Sequence, residues 1–167
     1  MGHKEHEKLA RQKLNIALVT FSDTRTEEND HSGNCLKNEL TAAGHRIVFY
    51  KIEKENPDSM QTCIDGLIKD EKLDVVITNG GTGISTRDNT IEVIAPLFEK
   101  TIDGFGEIFR LVSYQQIGAA AMLSRACAGV VRGKIIICLP GSTKAVKLAA
   151  RRIVVPQLTH MIWEARR

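Results

Sequence analysis

Apolar residues occur along the chain in blocks that are typical of buried strands alternating with one-sided helices. Runs of aliphatic and β-branched residues predict strands over residues 14–21, 45–52, 73–78 and 134–139. Apolar positions at three- and four-residue spacing predict helices over residues 32–43, 57–70, 90–98, 104–116 and 142–163. Because strands and helices alternate, we expect a three-layer α/β/α fold built on a mostly parallel, doubly wound sheet.

Glycine, proline and serine refine these boundaries. Ser32 is a good N-cap for the first helix and Gly44 its C-terminal stop. Gly118 is expected to break the fourth helix, and Pro156 to kink the last one. Residues 129–133 come just before the last strand, and a hairpin there would add an antiparallel strand at one edge of the sheet.

Composition excludes several classes of protein. The chain has 167 residues, 43% hydrophobic and 26% charged, which is typical of one globular domain. No apolar run approaches the ~20 residues needed to cross a bilayer, and the charged N-terminus does not resemble a secretory signal. We predict a flexible segment at residues 1–13 and a single domain at 14–167, with no membrane association.

Cysteine spacing bears on metal binding and location. The four cysteines form no CxxC pair and have no histidine at ligand spacing, which argues against a zinc site or a redox dithiol. Each lies in an apolar stretch and is expected to be a buried, inert thiol. A reducing, cytoplasmic setting fits this use of cysteine.

Charge is unevenly distributed between the two halves. Residues 1–83 carry 11 basic and 14 acidic side chains (net −3), and residues 84–167 carry 12 and 6 (net +6). The second half could therefore hold an anion, and the alternative is a solvated basic face. Aromatic residues make up only 5% of the chain, and no basic stretch is interleaved with them, so nucleic-acid binding is not expected.

One glycine-rich loop follows the third predicted strand and is suited to phosphate. Glycines let the backbone turn its N–H groups towards an anion, hydroxyls add donors, and a helix N-terminus follows. The nucleotide-binding candidates in this loop are Gly80, Gly81, Thr82, Gly83 and Ser85. Asp88 would suit a Mg²⁺ ion that bridges it to phosphate. The alternatives are a tight turn that binds nothing and a helix-capping role for Asp88.

Two further loops follow strands at the same edge of the predicted sheet. Since ligands bind beyond the carboxyl ends of parallel strands, both are candidates for substrate binding. One contains Pro140, Gly141, Ser142 and Lys144, and the other contains Asp30, Ser32 and Gly33. For Lys144 a solvated helix face is the alternative, and for Asp30 and Ser32 helix capping.

Five motifs along the chain belong together: Asp30–Gly33, Thr78–Gly83 with Asp88, Gly104–Glu107 with Arg110, Ser124–Ala126, and Pro140–Ala145. Taken in order, they resemble those of the MoaB/Mog family of molybdenum cofactor biosynthesis. The likeness runs from about residue 14 to residue 158, and is closer to the bacterial MoaB branch. The resemblance implies a molybdopterin-binding α/β fold.

The resemblance also implies an activity. Active members transfer AMP from Mg·ATP onto the terminal phosphate of molybdopterin and assemble as trimers or hexamers. Carried over by position, residues 80–83 and Asp88 would hold nucleotide phosphates and Mg²⁺, with Asp88 catalytic. Asp30, Ser32, Gly33 and residues 140–142 would contact the pterin and its phosphate. Other proteins of the cofactor pathway are potential partners.

One departure from the family pattern concerns a second catalytic Asp after the second strand. Aligning this segment puts Lys54 at that position, and an ammonium group cannot bind Mg²⁺. Glu53, Glu55 or Asp58 could substitute. The alternative function is that of a non-catalytic molybdopterin-binding protein in the same pathway. A flavodoxin-like signalling or redox domain is a third, more distant alternative.

Overall fold

The computed structural model describes residues 13–167, which contain six strands and six α-helices. The strands are β1 (Asn15–Phe21), β2 (Arg46–Glu53), β3 (Val75–Asn79), β4 (Lys100–Thr101), β5 (Cys127–Val131) and β6 (Lys134–Leu139). The helices are α1 (His31–Ala42), α2 (Pro57–Lys69), α3 (Thr90–Ile94), α4 (Asp103–Ile117), α5 (Thr143–Ala149) and α6 (Val155–Arg166). Apart from Lys13, the predicted flexible segment lies outside the described residues.

The strands form one sheet in the order β2-β1-β3-β6-β5-β4. The first four are parallel, and β5 and β4 are antiparallel to their neighbours. The predicted doubly wound sheet with an antiparallel edge is therefore confirmed. Thr20, Asn79 and Leu139 are in register across β1, β3 and β6, so the loops after these three strands start side by side.

Alternate residues of each strand pack against helices on opposite faces. On one face, Ile16 and Leu18 of β1 join a core made with α1, α4, α5 and α6. On the other, Val19 and Phe21 pack with α2 and α3. Successive side chains of a strand point to opposite faces of the sheet. Because both faces are covered by helices, every position is buried, and the strand sequences are unbroken apolar runs.

One predicted helix start and one predicted helix end differ from the structure. The predicted N-cap Ser32 is wrong: α1 starts at His31, and its N-cap is Asp30, whose carboxylate accepts the Gly33 N–H at 2.9 Å. Asn89 is at the N-cap position of α3 but its side chain makes no capping hydrogen bond. The predicted helix to Phe98 ends at Ile94 and continues only as a 3₁₀ turn, because proline lacks the N–H that an α-helix needs.

The predicted break at Gly118 is confirmed, and near Pro156 the structure has a π-helical turn. Gly118, with φ +60°, ends α4, and a 3₁₀ turn follows over Gly118–Leu123. Before Pro156 the last helix contains a π-helical turn, Ala150–Val154, as is common where a helix adjusts to an irregularity. Strand β4 was not predicted, because two residues carry no periodic signal. Within residues 13–167 no helix is long and apolar enough to cross a membrane.

Candidate functional site

A cavity of about 440 Å³ lies where the loops after β1, β3 and β6 meet. Its floor includes Thr20 and Asn79, the ends of two adjacent strands. Pro140 and Gly141, which follow β6, form part of its wall. The predicted convergence of three loops at the carboxyl edge of the sheet is thus present.

The glycine-rich loop is shaped by contacts that exclude side chains. Gly80 and Gly81 have φ values of +97° and +62°, in the left-handed region that favours glycine. A Cβ at Gly80 would lie 2.2 Å from the Phe21 carbonyl oxygen, and one at Gly83 would lie 2.7 Å from an Asp88 carboxylate oxygen. Gly80, Gly81, Thr82 and Gly83 all line the cavity, so the loop presents backbone rather than bulk to a ligand.

Asp88 lines the same cavity and is held by the turn that follows the glycines. Its Oδ2 accepts the Ser85 hydroxyl at 2.6 Å and the Ser85 N–H at 2.9 Å. These bonds, with one from the Gly83 N–H, keep the pKa of Asp88 below its ordinary value despite partial burial. Since Asn89 is at the N-cap position of α3, the capping alternative for Asp88 is wrong. Ser85 itself does not line the cavity and acts through Asp88.

Asp30 is fully buried beneath the cavity and organises its floor. Its carboxylate accepts the hydroxyls of Thr20, Ser32 and Tyr50 and the Gly33 N–H. Burial alone would raise the pKa of Asp30, but these four donors outweigh it and the pKa is lowered.

Of the three residues predicted from this loop as substrate contacts, only Ser32 reaches the cavity wall. Asp30 and Gly33 are buried behind it, since the carboxylate caps α1 and a Cβ at Gly33 would lie 2.2 Å from Asp30 Oδ2. The predicted direct contact of Asp30 and Gly33 with substrate is therefore wrong, and both residues support the cavity from behind.

Two cations of the cavity were not among the predicted site residues. Arg125 donates from Nε to the Thr82 carbonyl oxygen at 2.9 Å and forks onto the Glu92 carboxylate. Arg25 lines the cavity on the loop after β1. The only sequence signal was for Arg125, which lies in one of the five motifs, whereas Arg25 stands in a polar loop with no motif.

Residues 142–144 lie outside this cavity. Ser142 is the N-cap of α5 and accepts the Ala145 N–H at 3.3 Å. Lys144 lines a separate concavity together with Lys147 and Arg151. The predicted contact of Lys144 with a ligand in the main cavity is not supported, because Lys144 does not line that cavity.

The segment after β2 places one carboxylate in the cavity. Glu55 lines it, and burial, Asp23 and Asp88 raise the pKa of Glu55. Glu53 instead pairs with Lys51 at 2.6 Å and faces a different concavity, which Asp58 also lines. Exposed Lys54 is not among the lining residues. Of these three carboxylates, only Glu55 lines the cavity.

Comparisons with known proteins agree with this geometry. The chain is 45% identical over 168 residues to "Molybdenum cofactor biosynthesis protein B" of Bacillus cereus, covering all of this chain and 99% of the relative. A crystal structure of a protein with the same description has a TM-score of 0.91 at 45% identity, covering 94% of this chain and 98% of that one. The tungsten cofactor synthesizing protein MoaB from Pyrococcus furiosus has a TM-score of 0.85 at 39% identity, covering 95% and 100%.

A family model described as "Probable molybdopterin binding domain" matches residues 17–160, which include every strand except the first two residues of β1 and the whole of the cavity. The chain therefore belongs to the MoCF_biosynth family of probable molybdopterin-binding domains.

Proposed function

We propose that this protein acts in molybdenum cofactor biosynthesis, binding molybdopterin and Mg·ATP and transferring AMP to the terminal phosphate of the pterin. The observation that carries the proposal is that the glycine loop, Asp88, Glu55 and two arginines line one cavity at the carboxyl edge of the sheet. The name of the Bacillus cereus relative supports the pathway.

Adenylyl transfer joins two anionic reactants, so it requires positioning and charge neutralisation more than proton transfer. In this cavity the N–H groups of Gly81 and Thr82 would bind phosphate oxygens, since those of Gly80 and Gly83 already donate to the Leu139 carbonyl oxygen and the Asp88 carboxylate. Arg25 and Arg125 would offset the negative charge of the reactants. The guanidinium of Arg125 donates hydrogen bonds to the Glu92 carboxylate and to the Thr82 carbonyl oxygen. These bonds hold the guanidinium at the edge of the cavity and fix the position of Thr82.

The residues present fit a magnesium ion delivered with the nucleotide. Asp88 supplies an ionised carboxylate beside the phosphate-binding loop, and both Ser85 hydrogen bonds go to Oδ2. Within residues 13–167 no group of three or more acidic, histidine or cysteine side chains could hold a metal ion. Such an ion would therefore take most ligands from phosphate and water, as Mg²⁺ commonly does, and would polarise the phosphate at which AMP is transferred.

Glu55 supports an active enzyme, because it restores a second carboxylate near Asp88 despite Lys54. The alternative is a protein that binds molybdopterin without adenylylating it. It is favoured by the cation at position 54, which brings positive charge next to Glu55.

A direct assay separates these functions. Full-length protein, in excess over molybdopterin, is incubated with ATP and Mg²⁺, and adenylylated pterin and pyrophosphate are quantified. Formation of both products in equal amounts supports the enzyme. Tight pterin binding without product supports the binding protein. If neither pterin nor ATP binds, both proposals are wrong.

We also propose a homo-oligomer, a trimer or a hexamer, formed through the outer surface of α4 and the 3₁₀ turn after it. This apolar face consists of Ile108, Leu111, Tyr114, Ile117, Met122 and Leu123, each at least half exposed. Clusters of this kind on a folded chain mark interaction surfaces. Leu123 also lines the cavity, so the interface would adjoin the site. Association with other pathway proteins and a cytoplasmic location stay predictions.

A further inference from the structure

We propose that Cys127 and Cys138 form an oxidisable dithiol, which a hydroperoxide oxidises to a disulfide between β5 and β6. This inference is independent of the proposed function. It concerns two strands that lead into the cavity and a pair of thiols to which adenylyl transfer gives no role.

The backbone places the two cysteines face to face. They are direct partners in the antiparallel β5–β6 ladder. Directly opposed residues in such a ladder have Cα atoms about 4.5 or 5.5 Å apart, within the range of about 4.4–6.8 Å that disulfides span. Rotation of the side chains would therefore suffice, without movement of the strands.

The register that opposes them is fixed by the hairpin. Val131 pairs with Lys134, which leaves a two-residue turn, Arg132–Gly133. Both turn residues have positive φ values, 50° and 72°, as in the tight turns that match the twist of a hairpin. Because the length of the turn sets the register of β5 against β6, the strands cannot slip, and Cys127 stays opposite Cys138.

The two thiols have complementary roles. Cys127 is partly exposed at the start of β5, whereas Cys138 is completely buried. A hydrogen bond from the Cys138 thiol lowers the pKa of Cys127. Burial raises that pKa, and the positive charge of Arg125 lowers it further. The same hydrogen bond and burial raise the pKa of Cys138. Cys127 is therefore the attacking thiolate and Cys138 the resolving thiol.

The chemistry balances with a hydroperoxide as the two-electron oxidant. The Cys127 thiolate attacks one oxygen of the peroxide, so that an S–O bond forms and the O–O bond breaks. When the oxidant is hydrogen peroxide, the leaving group is hydroxide. The Cys138 sulfur then attacks Cys127 Sγ, the S–O bond breaks, and the thiol proton leaves with that oxygen as water. The product is a disulfide that a dithiol reductant can reopen.

The other two cysteines are natural internal controls. Cys35 and Cys63 lie on α1 and α2, and burial is the main cause that raises the pKa of each. We expect both to react with peroxide at least about tenfold more slowly than Cys127.

The test is mass spectrometry of the full-length protein treated with hydrogen peroxide and then alkylated. The expected result is the loss of two alkylatable thiols per chain, a peptide containing a Cys127–Cys138 link, and recovery with dithiothreitol. Cys127→Ser should slow the thiol loss at least about tenfold, and Cys138→Ser should stop at a sulfenic acid that a cyclic dione traps. Cys35→Ser and Cys63→Ser should behave as the unmodified protein.

Three results would overturn the proposal: Cys127 reacting no faster than Cys63, a link to a different cysteine, or disulfides only between chains. Peptide mapping of the unmodified protein distinguishes these three results from the expected Cys127–Cys138 link, even if Cys138→Ser fails to fold.

Discussion

Single residues in the candidate site divide into those that face the ligand space and those that hold others in place. Asp88 and Glu55 face the cavity, whereas Asp30 lies beneath it and holds Thr20 at the floor and Ser32 at the wall. The distinction predicts different responses to substitution. Changes to the facing carboxylates should affect ligands, and changes to Asp30 should affect stability.

Asp88→Asn is expected to keep the fold and to weaken binding of ATP in the presence of Mg²⁺. The amide keeps the size of the side chain but lacks the charge that a hard cation requires. Calorimetry with and without Mg²⁺ should show that the unmodified protein gains affinity from the ion and the variant does not. Equal ATP affinity for both proteins under both conditions would contradict the role of Asp88.

Glu55→Gln should reduce adenylyl transfer by at least about tenfold if Glu55 serves as the second carboxylate. Glu53→Gln is the matched control, since that side chain pairs with Lys51 outside the cavity. Lys54→Asp should leave the rate equal or higher. If the rate of adenylyl transfer falls only in the Glu53→Gln variant, the assignment of the second carboxylate to Glu55 is wrong.

Asp30→Asn should lower the free energy of unfolding at neutral pH by about 1–3 kcal/mol, because a buried hydrogen-bonded charge is lost. The folded pKa of Asp30 lies below its ordinary value, so its contribution exists above that ordinary value and is lost as pH falls through the folded pKa. Denaturant melts between pH 7 and 2 should therefore show the gap between the two proteins narrowing with acid. The exposed Glu71→Gln is the control, and a constant gap would argue against the buried charge.

Among the elements, the glycine loop is the one whose geometry admits the least change. Gly81 combines a positive φ with a crowded position, where a Cβ would lie 2.5 Å from Thr90 Oγ1. That hydroxyl donates to the Gly80 carbonyl oxygen at 2.8 Å and so ties the loop to the start of α3. The loop is thus shaped both by backbone freedom and by its anchor.

Gly81→Ala should lower the free energy of unfolding by about 1–3 kcal/mol and weaken ATP binding, because strain at this φ and the contact with Thr90 act together. Gly66→Ala is the control within α2, where a Cβ would meet nothing within 4 Å. It should be neutral or stabilising by about 0.5–1 kcal/mol. If both variants melt at the same denaturant concentration, the loop is not constrained as described.

For the whole molecule, the proposal of a homo-oligomer is tested at one surface. The apolar face of α4 and the turn after it stands out, and Met122 is 77% exposed. Placing a charge there should prevent association without disturbing the core.

Leu111→Lys combined with Met122→Lys is expected to yield a monomer by light scattering, where the unmodified protein gives a trimer or hexamer. Val48→Lys, at a half-exposed position on edge strand β2, is the control and should leave the mass unchanged. A monomeric unmodified protein, or an oligomer that survives the double substitution, would contradict the assignment of this face.

The fold and the candidate site were predictable to different degrees. Aliphatic runs and helical spacing predicted nearly every element, because burial of an apolar face is a local property of the sequence. The glycines and Asp88 were predictable for the same local reason, since phosphate binding needs backbone turns and a nearby carboxylate. The N-cap was assigned to Ser32 instead of Asp30, because both residue types cap helices and only the register of the first turn separates them.

By itself, the sequence determined the order of the elements, the parallel sheet, and the three loops at one edge of it. Only the tertiary structure decided that Glu55 and Arg25 line the cavity, that Lys144 lines a different concavity, and that Cys127 faces Cys138. The physical reason is that periodicity records which side of an element is buried. Distances between side chains far apart in the chain depend instead on strand order, register and turn length, which are set when the layers pack.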